Sequence, residues 1–111
     1  MGLLPNADFA IVPIEKLRDY ALNPAHPVGK HKARVFESVF GLTSKDALFL
    51  QEIIYVAIKA NPAKTTRLDE FGQRYQVEFI LEHNGRTAVV LTAWIVETND
   101  FQPRLSSCYI K

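Results

Sequence analysis

Tyr75-Gln-Val-Glu-Phe-Ile-Leu-Glu-His-Asn-Gly-Arg-Thr-Ala-Val-Val-Leu-Thr-Ala-Trp-Ile-Val96 decides the fold. In its first half Tyr75, Val77, Phe79 and Leu81 alternate with Gln76, Glu78, Ile80 and Glu82. That period of two is the mark of a half-buried strand. His83-Asn84-Gly85 follows, and an Asn-Gly pair between apolar runs signals a hairpin. From Thr87 to Val96 the chain is apolar on both faces, as a central strand should be. A two-residue turn sets Tyr75, Val77 and Phe79 opposite Trp94, Thr92 and Val90. A three-residue loop sets them opposite Ala93, Leu91 and Val89. The second register keeps one face wholly apolar, so binary patterning selects it. It leaves Arg74, Gln76, Glu78, Thr92 and Trp94 on an open face.

Outward from the hairpin, Lys64 to Asp69 reads as a weaker strand, and Phe71-Gly72 as a turn. Arg104 to Ile110 reads as the last strand, with Leu105, Ser107 and Tyr109 on one face and Cys108 and Ile110 on the other. The residues before about Asn61 follow helical spacing instead. Pro13 suits a first helical turn, and Ile14, Leu17 and Ala21 form its apolar stripe. Asn23-Pro24 ends that helix, because the residue before proline disfavours helical backbone. The segment from Asn23 to Gly29 holds two prolines and a glycine and reads as a rigid loop. A second helix spans about Lys30 to Phe40, with Gly41 as its stop. Thr43 or Ser44 caps a third, striped by Ala47, Leu50, Ile54, Ala57 and Ile58. Asn61-Pro62 ends it. The expected fold is α+β: three N-terminal helices packed on one face of an antiparallel sheet of about four strands. One domain covers 1–111, with a helical half at about 10–61 and a sheet half at about 64–111.

The bulk numbers agree. The chain has 111 residues, 48% of them hydrophobic and 23% charged. That is the composition of one globular domain, and it excludes a disordered tail, a collagen-like chain and a disulfide scaffold. Thirteen basic and twelve acidic residues leave a net charge of +1. A protein that binds polyanions over its whole surface is usually more basic. Cys108 is the one cysteine, which fits a reducing compartment and offers no cysteine metal site. No basic region precedes the apolar residues at the N-terminus, so a signal peptide is not expected. The longest apolar run, Ile53 to Ile58, is too short to span a bilayer. The expectation is a cytoplasmic protein with no membrane partner and no cofactor.

Chemistry concentrates in His26-Pro-Val-Gly-Lys-His-Lys-Ala-Arg-Val-Phe36. Between Tyr20 and Phe36 stand His26, Lys30, His31, Lys32 and Arg34, and no acid. Gly29 precedes a helix start, where backbone N–H groups attract an anion such as phosphate. A solvated basic face is the plainer reading of the same charges. Lys32 departs from it. On a helical wheel Ala33, Phe36, Val39 and Phe40 make one apolar arc, and Lys32 falls inside it. A lysine there must snorkel past the core edge or find a partner. His26 sits in the proline-bounded loop, where a histidine can act as acid or base near neutral pH; an idle loop histidine is the alternative. His26 and His31 lack a third ligand nearby, so no metal site is expected. On the open face, Thr92, Trp94, Arg104, Ser107 and Tyr109 would suit base stacking and phosphate binding. The alternative for Trp94 and Tyr109 is core packing.

Two resemblances follow from these residues. Leu4-Pro-Asn-Ala-Asp8, Tyr20-Ala-Leu-Asn-Pro24, Gly29 to Phe36, Trp94-Ile-Val-Glu97 and Pro103-Arg-Leu-Ser-Ser-Cys-Tyr109 resemble a family of small, mostly bacterial domains of unknown function. The element order, with a basic helix and a final strand ending in hydroxyl-x-Tyr, resembles the metal-independent ribonuclease fold of barnase, the EndoU-like enzymes, the colicin ribonucleases and the RelE toxins. Many of those belong to toxin–antitoxin or polymorphic toxin systems. The resemblance implies RNA and a cognate antitoxin or neighbouring gene product as partners. It implies a catalytic set of His26 as acid or base, Lys32 at the scissile phosphate, and Ser107 and Tyr109 assisting. Lys30, Arg34, Thr92, Trp94 and Arg104 would bind substrate. The family's last strand more often reads Thr-Ala-Tyr-Pro, where this chain has Ser107-Cys-Tyr-Ile110. The competing class is a non-enzymatic interaction module, such as an immunity or accessory protein. Pairing between chains at a sheet edge would make an oligomer.

Overall fold

The computed structural model describes residues 2–111; Met1, the first residue of the span read as one domain, lies outside the described residues. Its centre is the long hairpin of β2 (Gly72–His83) and β3 (Arg86–Glu97). The two strands pair from Gly72 opposite Glu97 to His83 opposite Arg86. Asn84 and Gly85 alone make the turn, both left-handed, with φ of 52° and 73°. Two such residues in succession match the twist of the flanking strands. β1 (Ala63–Asp69) pairs antiparallel with β2, and β4 (Arg104–Ile110) with β3, giving a four-stranded sheet in the order β1-β2-β3-β4.

The two-residue turn corrects the register expected from patterning. Tyr75, Val77 and Phe79 lie opposite Trp94, Thr92 and Val90, not Ala93, Leu91 and Val89. Patterning failed because it treated Thr92 and Trp94 as polar-bearing and therefore outward. Both are fully buried, at 0% exposure. The Trp94 indole N–H donates to Thr92 Oγ1 at 2.8 Å, and that hydroxyl donates to the Val77 carbonyl at 2.8 Å. Each polar atom is satisfied inside the sheet, which removes the cost of burying it.

α1 begins as a helical turn, Ile14–Lys16, and widens into a π turn over Leu17–Ala21, where the Leu22 N–H reaches back to the Leu17 carbonyl at 2.9 Å. α2 (Lys30–Phe40) stops at left-handed Gly41, and the Asn84 amide of the hairpin donates to its last carbonyl, Phe40, at 2.8 Å. A short 3₁₀ turn, Ser44–Asp46, leads into α3 (Ala47–Ala57). There the Asp46 carboxylate accepts the Thr43 N–H at 2.9 Å, half of a capping box. Leu17, Phe36, Phe40, Leu50 and Ile54 from the helices share one buried cluster with Val77, Phe79, Val90, Trp94 and Leu105 from the sheet. The chain is thus α+β, with three helices preceding a four-stranded antiparallel sheet. A register shift between Ala93 and Trp94 rephases β4, so Leu105 and Cys108, three residues apart, are both buried. The other sheet face carries Arg74, Gln76, Glu78 and Ile80 of β2 and Tyr109 of β4.

Candidate functional site

The loop before α2 is held by His26. Its Nδ1 accepts the backbone N–H of Val28 and of Gly29, each at 3.0 Å, and its carbonyl accepts the N–H of Lys30 at 3.1 Å. The ring leans on Tyr20, with centroids 4.5 Å apart. A Cβ on Gly29 would lie 2.8 Å from the Tyr20 carbonyl oxygen, so only glycine lets the loop approach α1 this closely. The Val28 and Gly29 N–H groups are thus taken by His26, and an anion at this helix start would meet the N–H groups of His31 and Lys32 instead. With Nδ1 spent on these two donors, Nε2 is the ring nitrogen left to meet a ligand.

α2 then presents its cations along the sheet's edge. Lys30 is half-buried, and His31, Lys32 and Arg34 are exposed. Lys32 is therefore not a core residue, as its wheel position suggested, but it has a partner. Its Nζ stands 4.1 Å from the centroid of the Tyr109 ring on β4. An ammonium over an aromatic face is attracted by the ring's quadrupole. β4 is an edge strand, which is why a helix lying beside it can reach a ring on its outward face. Tyr109 pairs with Leu91 and Ser107 with Ala93, so both hydroxyl side chains rise from the same face of the sheet. Next to Ser107, the Ser106 hydroxyl donates to the Ala93 carbonyl at 3.1 Å.

The structure thus brings Lys32 to Tyr109 and sets Ser107 beside them on β4. It does not bring Thr92 and Trp94 to this surface. Buried in the core, neither can stack or bind a substrate, which corrects their assignment. Arg104 is exposed at the far end of β4, 3.7 Å from the Glu97 carboxylate. His26 makes its hydrogen bonds and ring contact within the loop and α1.

Sequence reasoning missed a second polar feature. A shallow hollow of about 310 Å³ crosses the sheet, lined by Arg67, Arg74, Gln76 and Ser106 among others. Arg74 and Arg67 both grip Asp69, at 2.9 and 3.0 Å, and the Arg74 guanidinium foremost holds that carboxyl down at about 2. Period-two alternation had placed Arg74 on the open face. The shift in pairing between Thr65 and Leu68 that brings Arg67 to the same carboxylate leaves no such mark. Burial pushes the Cys108 thiol up to about 12, so it is a core group and not a nucleophile. Among the described residues, no three His, Cys, Asp or Glu side chains gather as metal ligands, and no helix is long and apolar enough to cross a membrane.

Residues 3–111 match the model of a family described as a domain of unknown function, DUF6883. The chain belongs to this family. No curated protein matches the DUF6883 chain significantly. Among solved structures it is similar to a chain of the contact-dependent growth inhibition toxin–immunity protein complex from Klebsiella pneumoniae 342. The TM-score is 0.63 over 95% of this chain and 96% of that one, at 18% identity. At that identity the likeness is one of fold.

Proposed function

We propose that this DUF6883 domain is the toxin of a bacterial toxin–immunity pair and cleaves RNA with protein groups alone. The observation that carries the reading is the Lys32 ammonium seated on Tyr109, with the Ser107 hydroxyl rising from the same strand face. The fold is shared with one chain of a toxin–immunity complex, which supports membership of such a pair. RNA cleavage of this kind moves a proton from the 2′-hydroxyl and another to the leaving 5′-oxygen, while charge builds on the phosphate between them. Lys32 offsets that charge, and Lys30 and Arg34 on α2 draw the backbone in. Ser107 binds a phosphate oxygen, and the Tyr109 hydroxyl takes up the 2′-hydroxyl proton as it passes its own to the leaving 5′-oxygen, so the proton lost by one oxygen is the proton gained by the other. His26 contributes the Nε2–H as a donor to phosphate. Arg104 would have to leave its 3.7 Å contact with Glu97 to reach the flanking chain.

The test is induced expression in bacteria of the native chain beside Lys32→Ala, with growth followed and total RNA run on a gel. The reading expects growth arrest with RNA fragments, both relieved by the substitution. Normal growth with intact RNA and abundant folded protein would overturn it in favour of the second reading, a non-enzymatic immunity or accessory module. One observation favours that alternative: Arg67, Arg74, Arg104 and Lys111 of the sheet are all committed to ion pairs within the chain. Among the described residues, of the sheet's cations only Lys64 and Arg86 then remain, beside those of α2, to attract a polyanion.

A further inference from the structure

β2 is longer than the strand that pairs with it. β1 begins at Ala63, opposite Val77, and the preceding residue is Pro62, which has no N–H to extend the ladder. β2 runs on to His83. Because His83 and Arg86 close a two-residue turn, the odd residues of β2 exchange hydrogen bonds with β3, and the even ones point away from it. The backbone N–H and C=O of Ile80 and Glu82 therefore face outward beyond the end of β1. What they face is an apolar groove of about 550 Å³ between β2 and α3, lined by Phe49, Ile53, Val56 and Ala57 of the helix and by Phe79 and Leu81 of the strand. Val56 is 70% exposed and Ile80 72% exposed, although both are large apolar residues.

An unpaired strand edge beside an apolar groove specifies an extended chain as its occupant. Charge narrows the choice. Self-pairing of two copies centred on Ile80 sets Glu78 opposite Glu82 twice, self-pairing centred on Glu82 sets it against its own copy, and self-pairing centred on Leu81 sets each Glu82 against Ile80, so none of the three gives Glu82 a cation. Like charges directly opposite destabilise a sheet. Glu52 lines the groove on the helix side as well. Glu78 is paired with Lys111 at 2.7 Å, whereas Glu82 makes no ion pair among the described residues.

We infer that this edge takes an extended segment of a second, different protein as an added strand antiparallel to β2, in line with β1. Its apolar side chains enter the groove between Val56 and Leu81, and the alternating ones are cationic and face Glu82. The inference holds whether or not the chain cleaves RNA, since α2 and β4 lie on the opposite side of the sheet from β1.

The experiment uses the full chain and a blocked peptide, Lys-Val-Lys-Ile-Lys-Val-Lys, with binding read by amide hydrogen exchange. Saturable protection of the Ile80 and Glu82 amides is expected. Glu82→Lys should weaken binding at least tenfold and shift preference to the same peptide with Glu in place of Lys. Val56→Glu, at an exposed position that folding does not need, should also reduce binding of the Val/Ile peptide. No protection at Ile80 and Glu82, or binding indifferent to both substitutions, would overturn the inference. So would concentration-dependent dimerisation protecting those two amides without peptide, which would make a second copy the occupant.

Discussion

Thr92→Val removes one hydroxyl and almost no volume, yet it should be among the costlier single changes in this chain. Thr92 and Trp94 have no exposed surface, and the indole N–H has the Thr92 oxygen, 2.8 Å away, as its partner. Valine fills the same space and leaves that donor buried without an acceptor. The penalty for such a group is about 1–3 kcal/mol. The lost bond to the Val77 carbonyl adds less, because that carbonyl also lies in the β2–β3 ladder. For a domain of 111 residues each kcal/mol lowers the Tm by roughly 4 °C. Thermal and urea unfolding followed by circular dichroism would measure it in two backgrounds, native and Trp94→Phe. With phenylalanine there is no indole donor to strand, so Thr92→Val should cost about 1 kcal/mol less there. Equal cost in both backgrounds, or no cost in the native one, would refute the buried relay and with it the explanation of the hairpin register.

Three further outcomes are expected. Asp69 titrates lower in the folded chain, at about 2, than its usual 3.8, so it contributes stability that is fully present above about pH 4 and lost as pH falls toward 2. Asp69→Asn should flatten the acid limb of stability against pH in that window, as measured by urea unfolding at stepped pH. Cys108, with its thiol pushed up to about 12, should resist alkylation in the native chain at pH 8 and react fully in denaturant. Gly29→Ala should cost about 1–3 kcal/mol through overpacking against the Tyr20 carbonyl, and should speed amide exchange at Val28 and Gly29.

Much of the fold was legible because its signals are local. Asn23-Pro24 and Asn61-Pro62 bound the helices, Gly41 stops α2, and the alternation of β2 survives into the structure. The errors share a cause: each depended on a partner distant in sequence or on a change of phase. Alternation cannot see that the Thr92 hydroxyl and Trp94 indole satisfy each other, so it pushed both outward and chose the longer turn. Nor can it see the shift in β4 pairing that buries Leu105 together with Cys108. The helical wheel singled out Lys32 as a residue that must snorkel or find a partner, and placed it nearer the core than the structure does. It could not name Tyr109, because that contact depends on where β4 ends against α2. For His26 the loop position was readable, but the spending of Nδ1 on two backbone N–H groups was not.

The most direct test of Lys32 and Tyr109 as a reactive pair is cleavage of RNA by the purified chain in EDTA, with Lys32→Ala and Tyr109→Phe alongside. Lys32 is exposed, and losing its contact with the ring should cost only about 0.5–1 kcal/mol of stability, so both proteins can be compared in the folded state. Removing one charge-stabilising group typically slows such a step roughly 100- to 1000-fold. Cleavage by the native chain that persists in EDTA and falls at least about 100-fold in Lys32→Ala is the predicted result. Cleavage unchanged by that substitution, or no cleavage by the native chain, would contradict it.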